Sequence, residues 1–262
     1  MTVTNPMDLL HGADIQVRGR ILHASNHTFL AQLGDGDDAV PAVYKPISGE
    51  RPLWDFTDGS LAGREYAAWL VSECTGWGVV PPTTLRDGPI GRGMVQLWQE
   101  PDDDQAPVDL VPEGEVPDGY LHVLDAFDQH DRPISLVHED TPELRRMAVF
   151  DAMVNNTDRK GGHVLAMPDG HRFGVDHGVC FHVEDKLRTV LWGWAGEPLT
   201  DDEAAGVAGV LDGLGADLGL ALDGLLTPRE VRALAARCRR LLSLQALPLP
   251  AGGWPAIPWP PF

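Results

Sequence analysis

NNTDRKGGHVLAMPDGHRFGVDHG, residues 155–178, is the stretch from which the rest of the chain can be placed. Upstream, Thr141-Pro142-Glu143 marks a helix start, with Thr as N-cap and Pro at the first helical position. Leu144, Met147, Ala148 and Val154 then recur at helical spacing. Asn155-Asn156-Thr157 ends that helix, because these side chains compete for backbone hydrogen bonds. Asp158 follows in a loop. His163 to Met167 reads as a short strand, Pro168-Asp169-Gly170 as a turn, and Arg172 to Val175 as the returning strand, with Asp176 just past its end. Such a hairpin gathers Asp158, His163 and Asp176 around one ion. That is the layout of a metal-assisted phosphoryl-transfer site, in which one carboxylate receives the proton of an attacking hydroxyl and another holds a divalent cation on nucleotide phosphates.

Bulk properties agree with a folded enzyme-sized unit. The 262 residues suffice for one large domain or two lobes. Hydrophobic content of 43% and charged content of 23% are ordinary for a globular protein. A net charge of −19 argues against broad binding to nucleic acid or anionic membrane. It also raises the importance of a cation for any phosphate ligand. The three cysteines, Cys74, Cys180 and Cys238, have no metal spacing, which points to a reducing cytoplasm and to thiols that act as small buried hydrophobes. The first 20 residues contain no long apolar run, so neither signal peptide nor membrane insertion is expected.

The run Asp158-Arg159-x-x-x-His163, a hairpin, and then Asp176-x-Gly178 resembles the catalytic core of phosphatidylinositol 3-/4-kinase-like and HipA-type kinases. The chain as a whole resembles an actinobacterial family classed with those kinases. The resemblance implies a protein-kinase-like bilobal α+β fold, with an N-lobe antiparallel sheet plus helix and a mostly helical C-lobe. It makes Asp158 the catalytic base and Asp176 the main metal ligand, with His163 where those kinases carry a metal-binding Asn. His nitrogen suits Mn²⁺ or another transition metal better than Mg²⁺. His177 stands where the group has Phe. Lys160 is the neighbour expected to face substrate, and Arg159 the one expected to be structural. Asp151 either supports the loop from behind or is a partly exposed helix carboxylate.

The N-terminal half follows the same order. Ile15–Leu22 and Thr28–Leu33 read as strands around His23-Ala24-Ser25-Asn26-His27, where small and amide residues point backbone N–H groups at phosphate. Ser25 and Asn26 are therefore nucleotide-binding candidates. Ala39–Lys45 reads as a third strand and Ala62–Cys74 as a helix. Lys45 paired with Glu65 is the arrangement by which kinases hold α/β-phosphates. Val79–Leu85 and Gly93–Trp98 complete five strands, and Gln96 and Trp98 lead into the segment expected to meet adenine. The expected divisions are an N-lobe at 1–100, an acidic Pro/Gly-rich connector at 101–119, a C-lobe at 120–247 and a Pro/Trp-rich tail at 248–262. Tyr120–Phe127 is read as helical. His122, His130 and His138 are read as surface or satisfied histidines. Trp192-Gly193-Trp194 either lines an acceptor site or pins its loop to the lower lobe. Thr200 with Glu203 and Thr227 with Glu230 are capping boxes. The 248–262 segment is expected to lie extended along the body, to be disordered, or to mask a surface.

The leading expectation is an ATP-dependent phosphotransferase using Mg²⁺ or Mn²⁺. Its acceptor is an unknown hydroxyl on a protein or small molecule. The alternatives are a nucleotide-binding pseudokinase or interaction scaffold, and a transition-metal hydrolase built on His163, His171, His177, His182 and Asp176.

Overall fold

A computed structural model describes residues 6–22 and 26–262. Helix α1 (Pro6–Gly12) precedes β1 (Ile15–Arg20), β2 (Phe29–Leu33) and β3 (Val40–Pro46). Helix α2 (Leu61–Thr75) then crosses to β4 (Thr83–Gly88) and β5 (Gly91–Leu97). These strands form one antiparallel sheet in the order β1-β2-β3-β5-β4. Along β3, side chains alternate between the faces. Ala42 and Tyr44 enter a small core with Leu10, Ala31, Leu33 and Val95, and Lys45 takes the opposite face. The fourth strand begins at Thr83, not at Val79, because Pro81 and Pro82 lack the N–H that a ladder needs. Val79 and Val80 are instead buried in a loop.

Helix α2 begins at Ser60, whose Oγ accepts from Gly63 N at 3.0 Å, and the Glu50 carboxylate accepts from Leu61 N and Ala62 N at 2.9 and 2.8 Å. An anion at a helix N-terminus is favoured by the exposed N–H groups there. The helix ends at Gly76, whose φ of 72° is cheap only for glycine. Its face of Ala67, Ala68 and Val71 belongs to the larger core of the molecule.

The lower part departs from the sequence reading first at Tyr120. Tyr120–Phe127 is not a helix but strand β7, and it lies in a three-stranded antiparallel sheet ordered β6-β8-β7. Strand β6 (Val108–Pro112) falls within the acidic Pro/Gly-rich stretch, and β8 (Pro133–Glu139) supplies the ladder for both neighbours. The turn joining β7 to β8 is built by Asp128, whose Oδ1 accepts from His130 N and Arg132 N at 2.8 and 2.9 Å. Those amides, with the Arg132 side chain, hold the Asp128 carboxyl down at about 2. With Tyr, Val and Phe in the run, the strand wins once partners exist on its ladder side.

Helix α3 (Pro142–Val154) starts with the Thr141 cap and ends at Asn155 in the left-handed region. A short hairpin, β9 (Val164–Ala166) and β10 (Arg172–Gly174), follows. His163 closes a 3₁₀ turn at 161–163 instead of opening the strand. Helices α4 (Asp201–Leu214), α5 (Asp217–Ala221) and α6 (Pro228–Leu244) complete the lower lobe. Both α4 and α6 start with reciprocal capping boxes, at Thr200/Glu203 and Thr227/Glu230. Among the described residues no helix is long and apolar enough to cross a membrane.

Candidate functional site

Three distant segments meet at Lys45. Its Nζ donates to Glu65 Oε1 at 2.7 Å and to Asp176 Oδ1. Burial works against the Lys45 ammonium, but Asp176 and Glu65 outweigh it and hold its pKa above the ordinary lysine value. Asp176 answers in the opposite sense: chiefly through Lys45, and against burial, its carboxyl lies well below the usual range. Glu65 is 3% exposed, and its second oxygen accepts from His177 N at 2.9 Å. One carboxylate of α2 therefore binds both the β3 lysine and the backbone beside Asp176.

Behind these groups lies a buried ion pair. Arg159 and Asp151 are both 0% exposed. Arg159 Nε and Nη2 donate to Asp151 Oδ2 and Oδ1 at 2.8 and 2.9 Å. Arg159 also donates to the carbonyls of His163 and Val175, both at 3.1 Å, and to His177 Nε2 at 2.7 Å. Asp151 is thus the support behind the loop, not an exposed helix carboxylate. His177 is a fully buried ring packed edge-on against Phe150, and burial and then Arg159 keep it neutral, well below the ordinary histidine value.

His163 has a fixed tautomer. Its Nδ1 lies 2.9 Å from the Asp158 carbonyl, which can only accept, so Nδ1 carries the proton. Nε2 then presents a lone pair, 3.5 Å from Asp176 Oδ2. Burial pushes the imidazole pKa down, which favours that neutral form. The Asp158 carboxylate is a third exposed, with Lys160 Nζ at 3.7 Å and Arg188 Nη2 at 4.0 Å. Its backbone N donates to Asn156 Oδ1 at 3.0 Å. Asn156 was read only as part of the helix stop, and Arg188 escaped the sequence reading because it reaches Asp158 from a segment 30 residues further along the chain. Arg188 is placed by a short pairing of its segment with the loop: Arg159 N donates to Arg188 O, and Val190 N to Arg159 O.

The remaining sequence candidates are less central. Ser25 lies outside the described residues. The Asn26 Oδ1 accepts from Arg51 N at 2.9 Å, which ties that turn to the loop before α2. Gln96 is a buried β5 residue whose Nε2 donates to Thr83 Oγ1 at 2.8 Å. Trp98 is exposed and donates to Glu100 Oε1 at 2.7 Å. The histidine set of the hydrolase reading does not assemble: His171 Nε2 bonds Gly78 O, and His182 packs on Phe56. Among the described residues no three His, Cys, Asp or Glu side chains cluster as a metal site. Trp194 is buried and donates to Asp140, and Gly193 N donates to His138 Nε2. The Trp-Gly-Trp motif thus pins its loop.

The sheet with its single crossing helix and the lower part with its helices make up a kinase-like bilobal fold, and Lys45, Glu65 and Asp176 meet between them. No protein-family model matches the chain. It is 52% identical over 263 residues to Protein Rv2133c of Mycobacterium tuberculosis, covering 97% of this chain and 94% of that one. The chain belongs to the family of that mycobacterial protein. Among solved structures, the proinflammatory kinase CtkA of Helicobacter pylori aligns over 90% of this chain and 93% of its own, with a TM-score of 0.46 and 11% identity.

Proposed function

We propose that this protein is an ATP-dependent phosphotransferase that moves the γ-phosphate of ATP to a hydroxyl acceptor. The observation that carries the reading is Lys45 held between Glu65 and Asp176, since it unites strand, helix and post-hairpin loop at one charged point. The resemblance of the 158–178 motif to the phosphatidylinositol 3-/4-kinase-like and HipA-type kinases supports the same assignment. Lys45 would hold nucleotide phosphates, with Glu65 fixing its position. Asp158 would take the acceptor proton as the acceptor oxygen bonds to phosphorus and the bond to the β-phosphate oxygen breaks, releasing ADP. Lys160 and Arg188 stand beside Asp158, where they would attract the transferring phosphate.

The donor set fits a divalent cation. His163 Nε2 offers a lone pair toward Asp176 Oδ2, and its Nδ1–H is anchored on a carbonyl, the usual outer support of a metal-binding histidine. Two protein ligands suffice where substrate phosphates and water complete the shell. Mg²⁺ or Mn²⁺ held by His163 and Asp176 would neutralise charge on the phosphates.

The test is calorimetric titration of ATP with Mg²⁺ and then Mn²⁺ on the wild type and on Asp176→Ala. Metal-dependent binding that disappears in the variant is expected. No binding with either metal overturns the reading. A nucleotide-binding pseudokinase is the second reading. It is favoured by nitrogen at position 163, where Mg²⁺ prefers oxygen, and ATP binding without turnover under both metals would select it.

A further inference from the structure

Residues 254–262 run across the front of the catalytic loop. Gly161 N donates to Pro261 O at 2.8 Å, Thr189 N to Ala256 O at 3.0 Å, and Trp192 Nε1 to Ala256 O at 2.9 Å. The Phe262 ring lies on Gly161, where an added Cβ would come within 2.3 Å of it. Pro258 is buried, Ile257 packs on the main core, and Trp254 lies under the Lys186 ammonium at 4.7 Å. These anchors bracket Asp158. Gly161 follows it by three residues, and Thr189 adjoins Arg188, which reaches its carboxylate at 4.0 Å.

The chemistry of the contacts is that of peptide recognition. The groove offers donors only, two amides and an indole, and the bound segment answers with carbonyls. That suits a chain rich in proline, which lacks N–H groups. Recognition through the main chain accepts many sequences. Residues 248–262 read PLPAGGWPAIPWPPF and contain no Ser, Thr or Tyr. A segment lying beside the candidate base thus has no side-chain hydroxyl to phosphorylate. It is also only partly sunk: Trp259 is 74% exposed and Phe262 46%, and Ile257 and Pro258 are the residues that leave the core when the segment is displaced.

We propose that the groove formed by Gly161, Thr189 and Trp192 is the acceptor subsite, that its acceptor is a peptide bound through its carbonyls, and that residues 254–262 occupy it in cis as a non-phosphorylatable stand-in. The acceptor role rests on the phosphotransferase reading. The binding groove itself rests on the contacts above.

The experiment uses full-length wild type, Phe262→Ala and the double variant Ile257→Asp/Phe262→Ala. Amide hydrogen exchange is followed at Gly161 and Thr189, and binding of a synthetic WPAIPWPPF peptide is measured by fluorescence anisotropy. Labelled phosphate transfer from ATP to a degenerate Ser/Thr peptide pool is the third readout. Release of the segment should raise exchange at both amides by about tenfold or more. It should let the synthetic peptide bind where the wild type does not, and it should raise transfer to the pool several-fold. Faster exchange with no peptide binding and unchanged transfer would make the segment a structural strap and overturn the proposal. Unchanged exchange in the double variant would overturn it as well. Peptide binding by a variant, with no ATP binding by any of the three proteins, would instead overturn the phosphotransferase reading and the acceptor role with it.

Discussion

Replacing Arg159 by Met tests the support behind the site. The substitution keeps most of the side-chain volume but strands Asp151, whose remaining side-chain partner is Asn156 Nδ2 at 3.0 Å. It also removes the donor from the carbonyls of His163 and Val175. Breaking a buried ion pair from one side typically costs about 3–5 kcal/mol. Asp151→Asn should cost less, because Arg159 keeps three other acceptors. Urea unfolding of wild type and both variants at pH 7 measures this, with thermal midpoints lower by about 6–20 °C for the arginine variant. An Arg159→Met penalty under about 1 kcal/mol would refute the claim that the pair is dry and charged.

Other consequences are simpler to read. His138 is buried, donates from Nδ1 to Glu139 O and accepts from Gly193 N, and burial lowers its pKa. The unfolded chain therefore binds its proton first, so its contribution is complete above about pH 6.5 and declines as pH falls, by at most about 1.4 kcal/mol per pH unit. The wild type should lose stability between pH 6.5 and 5.5 more steeply than His138→Gln, as urea titrations at both values would show. Burial raises the thiol pKa of Cys180, and that of Cys238 to about 12, so a thiol reagent should leave both unmodified in the native protein and label both after denaturation. Thr227→Ala removes the α6 cap and the hydroxyl's bond to the Glu230 carboxylate, which also binds Arg64 of α2 at 2.5 Å. A loss of about 1–2 kcal/mol in chemical unfolding is expected, and a neutral result would show that neither the cap nor its tie to α2 matters.

Local chemistry made several parts of this molecule legible in the sequence. A Thr-Pro start, an Asn-rich stop, a Pro-Asp-Gly turn and two capping boxes act over four residues or fewer, so α3, the β9–β10 hairpin, α4 and α6 could be placed before any contact was known. The pairing of Lys45 with Glu65 was also anticipated, although only from the order of elements and the resemblance of the motif. Tertiary structure decided the rest. Tyr120–Phe127 became a strand because β8 offered it a ladder, and nothing within the eight residues could announce that partner. Asp151 became a buried counter-ion only when Arg159 folded back over it. Arg188 reached Asp158, and residues 254–262 reached Gly161, across separations that no spacing rule spans. Short-range hydrogen bonding belongs to the chain as written. Burial and long-range pairing of charges and backbone groups exist only once the chain has closed on itself.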